Sequence, residues 1–148
     1  MSHHTVKEVV IAAAATAVAA TMLIGIVALD AQEQQAVRVF TDEQAAAGKS
    51  AFEKGCAVCH MRDLSGDADA PALAGPPFMS TWRTRSVKDL YEYMSTSMPP
   101  GGSTLGTETY TALTAYVLRA NGAVAGTTSL TPATAAPIGS VAAKKAGS

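Results

Sequence analysis

Five consecutive residues constrain this chain more than any other part of it: Cys56-Ala57-Val58-Cys59-His60. Positions three apart on a helical turn share a face, so both thiols can meet one rigid partner. C-x-x-C-H is the attachment signature of a c-type haem (heme c). The two cysteines reach the vinyl groups of one porphyrin and form thioethers, and the adjacent His60 can bind the iron from the proximal side. A chain committed to this motif must fold around a flat apolar disc.

Counting removes the competing readings. Structural zinc needs about four Cys or His ligands. The chain has two cysteines and three histidines, two of which are His3 and His4 at the start. A thioredoxin-like dithiol needs a βαβ context, and a helical segment instead leads into Cys56. A structural disulfide would leave His60 without a purpose.

Val9 to Leu29 is a continuous apolar run of mostly Ala, Val, Ile and Leu. With Ala28-Leu29-Asp30-Ala31 behind it, the run reads as a secretory signal peptide cleaved near Ala31. It is also long enough to span a bilayer, for which roughly 20 apolar residues suffice, so an uncleaved membrane anchor is the alternative. Either reading makes the chain exported and periplasmic from Gln32 onward. Of 11 basic and 12 acidic residues, Lys7, Glu8 and Asp30 precede Gln32, which leaves ten of each sign. That balance disfavours nucleic acid as a partner and limits long-range steering of charged ones. Asp63, Asp67 and Asp69 cluster after the motif, and Arg83, Arg85 and Lys88 later; both groups read as solvated faces.

Residues 1–31 thus form the signal or anchor and 32–40 a polar linker. Thr41-Asp42-Glu43-Gln44 matches a capping box, and its helix runs to about Lys54 with Gly55 as the stop. Ser65 to Pro77 reads as loop. Ser86 with Asp89 starts a second helix, striped by Val87, Leu90, Tyr91 and Met94, which must end before Met98 because Pro99 follows. A third helix is expected from about Glu108 to Ala120, stopped by Asn121-Gly122. Residues 41–122 are the folded domain, all-α and without strands. Residues 123–148 form a low-complexity tail, expected to be extended or disordered, with Leu130 and Ile138 able to pin part of it. A domain of about 80 residues is marginal on side-chain burial alone, so the haem would supply the centre of its core.

With His60 the only histidine past the apolar run, a thioether is the obvious second axial ligand. Met61 is too close to His60 to reach the opposite ring face. Met94 sits on an apolar helix face, where packing is the usual role. Met98 is favoured because Pro99 and Pro100 stiffen its loop; Met79 is second.

These residues together resemble the class I c-type cytochromes. The resemblance rests on Cys56-x-x-Cys59-His60, Pro71-x-Leu73-x-Gly75, Met98-Pro99 and Leu113-x-x-Tyr116. It implies a small cytochrome c fold, with three to four helices wrapped around one covalent haem and the first and last helices crossing at near right angles. Gly48 would allow their close approach, with Phe52, Leu113 and Tyr116 at the crossing. The likeness further implies that the Pro71 carbonyl accepts a hydrogen bond from the second nitrogen of His60, a contact that orients a ligand and raises its basicity. The alternative for Pro71 is a simple loop stiffener. Leu73 would belong to the same haem-binding set. Trp82 would bond a haem propionate, with Arg83 or Arg85 as counter-charge; ordinary packing is the alternative. The stretch from Phe78 through Met98 to Asn121-Gly122 is similar to cytochrome domains that accompany quinoprotein dehydrogenases.

Three functions follow as expectations. The first is a one-electron carrier serving redox partner proteins (a dehydrogenase, an oxidase or another cytochrome), with no catalytic residue. The second is a membrane-tethered haem subunit of a larger oxidoreductase. The third is a haem enzyme or gas sensor with an open distal site, disfavoured because no second exported histidine can serve as a distal acid or base.

Overall fold

The computed structural model describes residues 37–101 and 105–142; the apolar run of residues 9–29 lies outside them. Among the described residues no helix is long and apolar enough to cross a membrane. The described chain is helical: α1 (Asp42–Gly55), α2 (Ala57–His60), α3 (Gly75–Trp82), α4 (Val87–Ser97), α5 (Thr107–Ala120) and α6 (Ile138–Val141).

Local chemistry sets the helix ends. Thr41 caps α1 in a full capping box with Gln44, and Ser86 does the same for α4 with Asp89; each satisfies two orphan backbone donors. The α5 stop is a Schellman turn. The Gly122 N–H reaches the Arg119 carbonyl (3.0 Å) and the Ala123 N–H the Leu118 carbonyl (3.1 Å), with Gly122 at φ 91°, where glycine carries no Cβ penalty.

α1 packs on α5 at a point where only glycine fits. A Cβ on Gly48 would lie 1.9 Å from the Ala112 carbonyl oxygen. Phe52 meets Tyr116 beside it, ring centroids 5.4 Å apart, and Leu113 is buried there. The Arg119 guanidinium pairs with Asp42 and covers the Phe40 ring.

Three segments depart from the sequence reading. The supposed loop to Pro77 contains the start of α3: Pro76 and Pro77 follow Gly75 in its first turn, where a missing N–H costs nothing, and Phe78 is buried. The end of the linker is not polar in its setting, because Val39 and Phe40 are core residues. Residues 123–142 are a strap rather than an extended tail. Ala123, Leu130, Ile138 and Val141 are buried, so both expected pins hold and further ones join them. Backbone bonds fix it: the Gly126 N–H to the Phe40 carbonyl, the Val87 N–H to the Ala136 carbonyl, and the Ile138 and Gly139 N–H groups to the Arg85 and Arg83 carbonyls. Gln44 clamps Leu130 with both ends of its amide, at 2.9 and 2.8 Å. Low apolar density misled because the strap contributes a few large side chains and many backbone bonds to an existing core.

Two outcomes follow. Ile138→Ala removes a fully buried side chain and should cost about 2–5 kcal/mol in a denaturant melt; an unchanged midpoint would show the strap to be ornamental. The Asp89 carboxyl is held below the ordinary carboxylate range, chiefly by the Ser86 backbone N–H and then by its hydroxyl. A depressed carboxylate stabilises above its unfolded pKa, and that contribution is lost as pH falls through the folded value. Asp89→Asn should therefore melt below wild type at neutral pH, with the gap closing on acidification below the carboxylate range.

Candidate haem site

The motif hangs on the end of α1. Cys56 closes that helix, its N–H bonded to the Phe52 carbonyl at 2.9 Å, and in turn its carbonyl receives the Cys59 and His60 N–H groups at 3.2 and 3.0 Å. One helical turn thus carries all three side chains. Both cysteines are free thiols, Cys56 half-buried and Cys59 exposed. Burial pushes the Cys56 thiol up, and the nearby Cys59 adds to this.

His60 is 8% exposed. Its Nδ1 lies 2.9 Å from the Pro71 carbonyl oxygen, which can only accept, so Nδ1 holds the proton and donates. The tautomer then leaves a lone pair on Nε2, and among the described residues Nε2 makes no hydrogen bond.

Backbone hydrogen bonds in the loop after His60 fix the place of that carbonyl. The Gly66 N–H returns to the His60 carbonyl at 3.2 Å, the Asp67 N–H to the Ala70 carbonyl at 2.8 Å, and the Leu73 N–H to the Leu64 carbonyl at 2.9 Å. The Asp67 carboxylate accepts the N–H groups of Asp69 and Ala70, a local turn typical of Asp. Gly66 sits at φ 67°, and a Cβ there would lie 2.4 Å from the Ala70 oxygen and 2.6 Å from the Pro71 carbonyl carbon. Met61 and Leu64 also take positive φ; non-glycine residues seldom do so, and such strain concentrates at functional sites. Asn121 ties the loop exit to α5, its amide bonding the Leu73 carbonyl (2.9 Å), the Val117 carbonyl (2.8 Å) and the Gly75 N–H (3.0 Å).

The remaining expected residues fall as follows. Leu73 packs half-buried on the core. Trp82 ends α3 in an aromatic cluster, stacked on Phe78 and tilted against Tyr93, with centroids 6.1 and 5.5 Å away. The Arg85 guanidinium lies 4.9 Å over its ring, while Arg83 is exposed. Met98 caps α4 in extended conformation, its N–H on the Met94 carbonyl, and the Met98–Pro99 peptide bond is cis. Its carbonyl accepts the Tyr110 hydroxyl from α5. Met94 is buried, and Met79 packs on the core. Asp63, read as a solvated charge, accepts the Ser65 N–H. A depression of about 550 Å³ between the N-terminal turns of α1 and α5, lined by Glu43, Gln44, Thr107, Glu108 and Leu130 among others, holds no residue of the motif.

Gly66, Asp67, Tyr110 and Asn121 also shape the site, and the motif spacing does not mark them. The Asp67-x-Asp69 turn chemistry was visible in sequence; the reach of Tyr110 and Asn121 was not, because both act across the fold.

The donor set suits a haem c. Two unoxidised thiols share one turn, and a buried imidazole has one nitrogen committed and the other free. An all-α fold whose first described helix closes directly into this turn defines a class I c-type cytochrome. Residues 43–117 match the family described as Cytochrome C oxidase, cbb3-type, subunit III, and the chain belongs to that family. Membership implies covalently bound haem c and haem-based electron transfer. A chain in the crystal structure of the sulfane dehydrogenase SoxCD from Paracoccus pantotrophus is similar, at 30% identity and a TM-score of 0.47, over 57% of this chain and 51% of that one. This chain thus spans about half the length of that structure's chain. No curated protein matches.

Gly66→Ala should lower stability by about 1–3 kcal/mol through overpacking of the loop and release the His60 ring. The His60 Nδ1–H resonance, slow to exchange in wild type, should exchange freely in the variant; unchanged exchange would show that Gly66 does not hold the loop.

Proposed function

We propose that this domain is an exported one-electron carrier with a single haem c, attached through Cys56 and Cys59 and ligated by His60 Nε2 and Met98 Sδ. The observation that carries the reading is the His60 Nδ1–H bond to the Pro71 carbonyl at 2.9 Å. A histidine ligand is commonly oriented through its other nitrogen in this way, and a merely structural histidine has no need of the constrained loop built around it.

When bound, the haem supplies one-electron exchange between ferric and ferrous iron, at a potential raised by Met/His ligation. The chain's residues do the rest. The Pro71 carbonyl fixes the ring and directs Nε2, the nitrogen not engaged by the loop, toward the iron. Met98 would hold the iron through a soft neutral thioether and so keep water and exogenous ligands from it. Its placement at the end of α4 favours it over Met79, whose side chain is engaged in core packing. Phe52, Leu113 and Tyr116 keep the helix that carries the motif rigid against α5. Val58, 79% exposed, gives the motif an apolar contact surface for a small, transient encounter with a dehydrogenase, an oxidase or another cytochrome. Trp82 serves in packing, a role supported by its three neighbours Phe78, Tyr93 and Arg85.

A tethered subunit is the second reading, favoured by the unbroken apolar run Val9 to Leu29. The haem chemistry is shared and the partners differ, and the mass of the mature protein separates the two.

Absorption spectra of the oxidised and reduced protein test the assignment. Colour should survive acid–acetone extraction, and the oxidised protein should show the weak red band of sulfur-bound ferric iron. Met98→Ala should abolish the band and Met79→Ala should keep it. Loss in the Met79 variant alone overturns the ligand assignment, and an extractable chromophore overturns covalent attachment.

A further inference from the structure

We propose that Tyr110 is a positioning residue for Met98: its hydroxyl, brought by α5 to the Met98 carbonyl, holds the backbone from which the thioether reaches the iron. The inference rests on Met98 as the axial ligand.

Four methionines lie among the described residues, and their carbonyls have different partners. The Met61, Met79 and Met94 carbonyls accept the nearby backbone N–H groups of Leu64, Arg83 and Met98. Met98 alone has its carbonyl taken by a side chain from another element. That carbonyl belongs to the set a helix end leaves without intrahelical partners, and Pro99 removes the next backbone donor. Tyr110 is 2% exposed, so its hydroxyl needs a protein partner. With its N–H on the Met94 carbonyl at 3.0 Å and its carbonyl on Tyr110, Met98 is bonded on both sides. A methionine side chain has three soft torsions, so a restrained backbone is what limits the sulfur's search. Tyr110 itself is anchored within α5, its N–H on the Gly106 carbonyl and its carbonyl accepting the Thr114 hydroxyl.

The test is Tyr110→Phe in the haem-loaded protein, which keeps the ring and removes one hydrogen bond. Thr111→Val serves as control, because it deletes a buried α5 hydroxyl bonded only to the Thr107 carbonyl. The measurements are the red band on heating, the helical circular dichroism melt, and the rate of carbon monoxide binding to reduced protein. In Tyr110→Phe the band should fade well before the helices melt, and carbon monoxide should bind roughly three- to tenfold faster, as loss of one hydrogen bond implies. In the control, band and melt should move together with the binding rate unchanged. A band and rate that match wild type in Tyr110→Phe overturn the inference, as does a loss of helix and band in step. If that variant accumulates poorly, cyanide on oxidised wild type decides. Displacing the sulfur should speed exchange of the Tyr110 hydroxyl proton, because coupling is reciprocal; unchanged exchange overturns the inference. Met98→Ala runs alongside: if it retains the red band, the axial assignment falls and this inference with it, whereas loss of the band there with an unaffected Tyr110→Phe sinks this inference alone.

Discussion

The contact of Gly48 with the Ala112 carbonyl underlies the rest of the molecule. Because no side chain intervenes, α1 and α5 approach closely enough for Phe52, Leu113 and Tyr116 to close around the contact. α1 ends directly in the Cys56–His60 turn, so the motif inherits the rigidity of this packing. α5 supplies Asn121 at one end and Tyr110 near the other. A Cβ at position 48 would separate the helix that carries the attachment turn from the helix that holds both of its companions.

The site is assembled largely by backbone carbonyls that need donors. Pro71 offers one to His60, Leu73 one to Asn121 and Met98 one to Tyr110. Each lies in a segment where regular secondary structure supplies no partner, and an unpaired half-buried carbonyl is costly. The same need that stabilises these irregular segments thus orients the residues proposed to ligate iron. The strap of residues 123–142 follows this logic, for its N–H groups meet the Arg83 and Arg85 carbonyls and its own Ala136 carbonyl meets Val87.

Much of this was legible in the sequence. The capping boxes at Thr41 and Ser86 and the stop at Asn121-Gly122 are local signals, because the groups that satisfy one another lie within five residues. The C-x-x-C-H spacing is equally local. The start of α3 was missed because Pro76-Pro77 is compatible both with a loop and with a helix's first turn, and only the burial of Phe78 decides between them. The strap was missed because composition measures average apolar density, whereas a few buried residues and backbone bonds to another element are enough to hold a chain. Asp67 was read as solvated charge, yet its carboxylate closes the loop that positions Pro71.

The sequence by itself determined the chemistry available: two thiols and an imidazole on one turn, a small set of methionines, and a helical chain to carry them. These follow from covalent spacing and from interactions within a turn or two, which any copy of the segment would show. The tertiary structure alone decided which carbonyl holds the His60 proton, which methionine has its backbone pinned from α5, and that the final segment belongs to the domain. Those outcomes depend on partners far apart in the chain, and no local pattern encodes a meeting that exists only after the helices have packed.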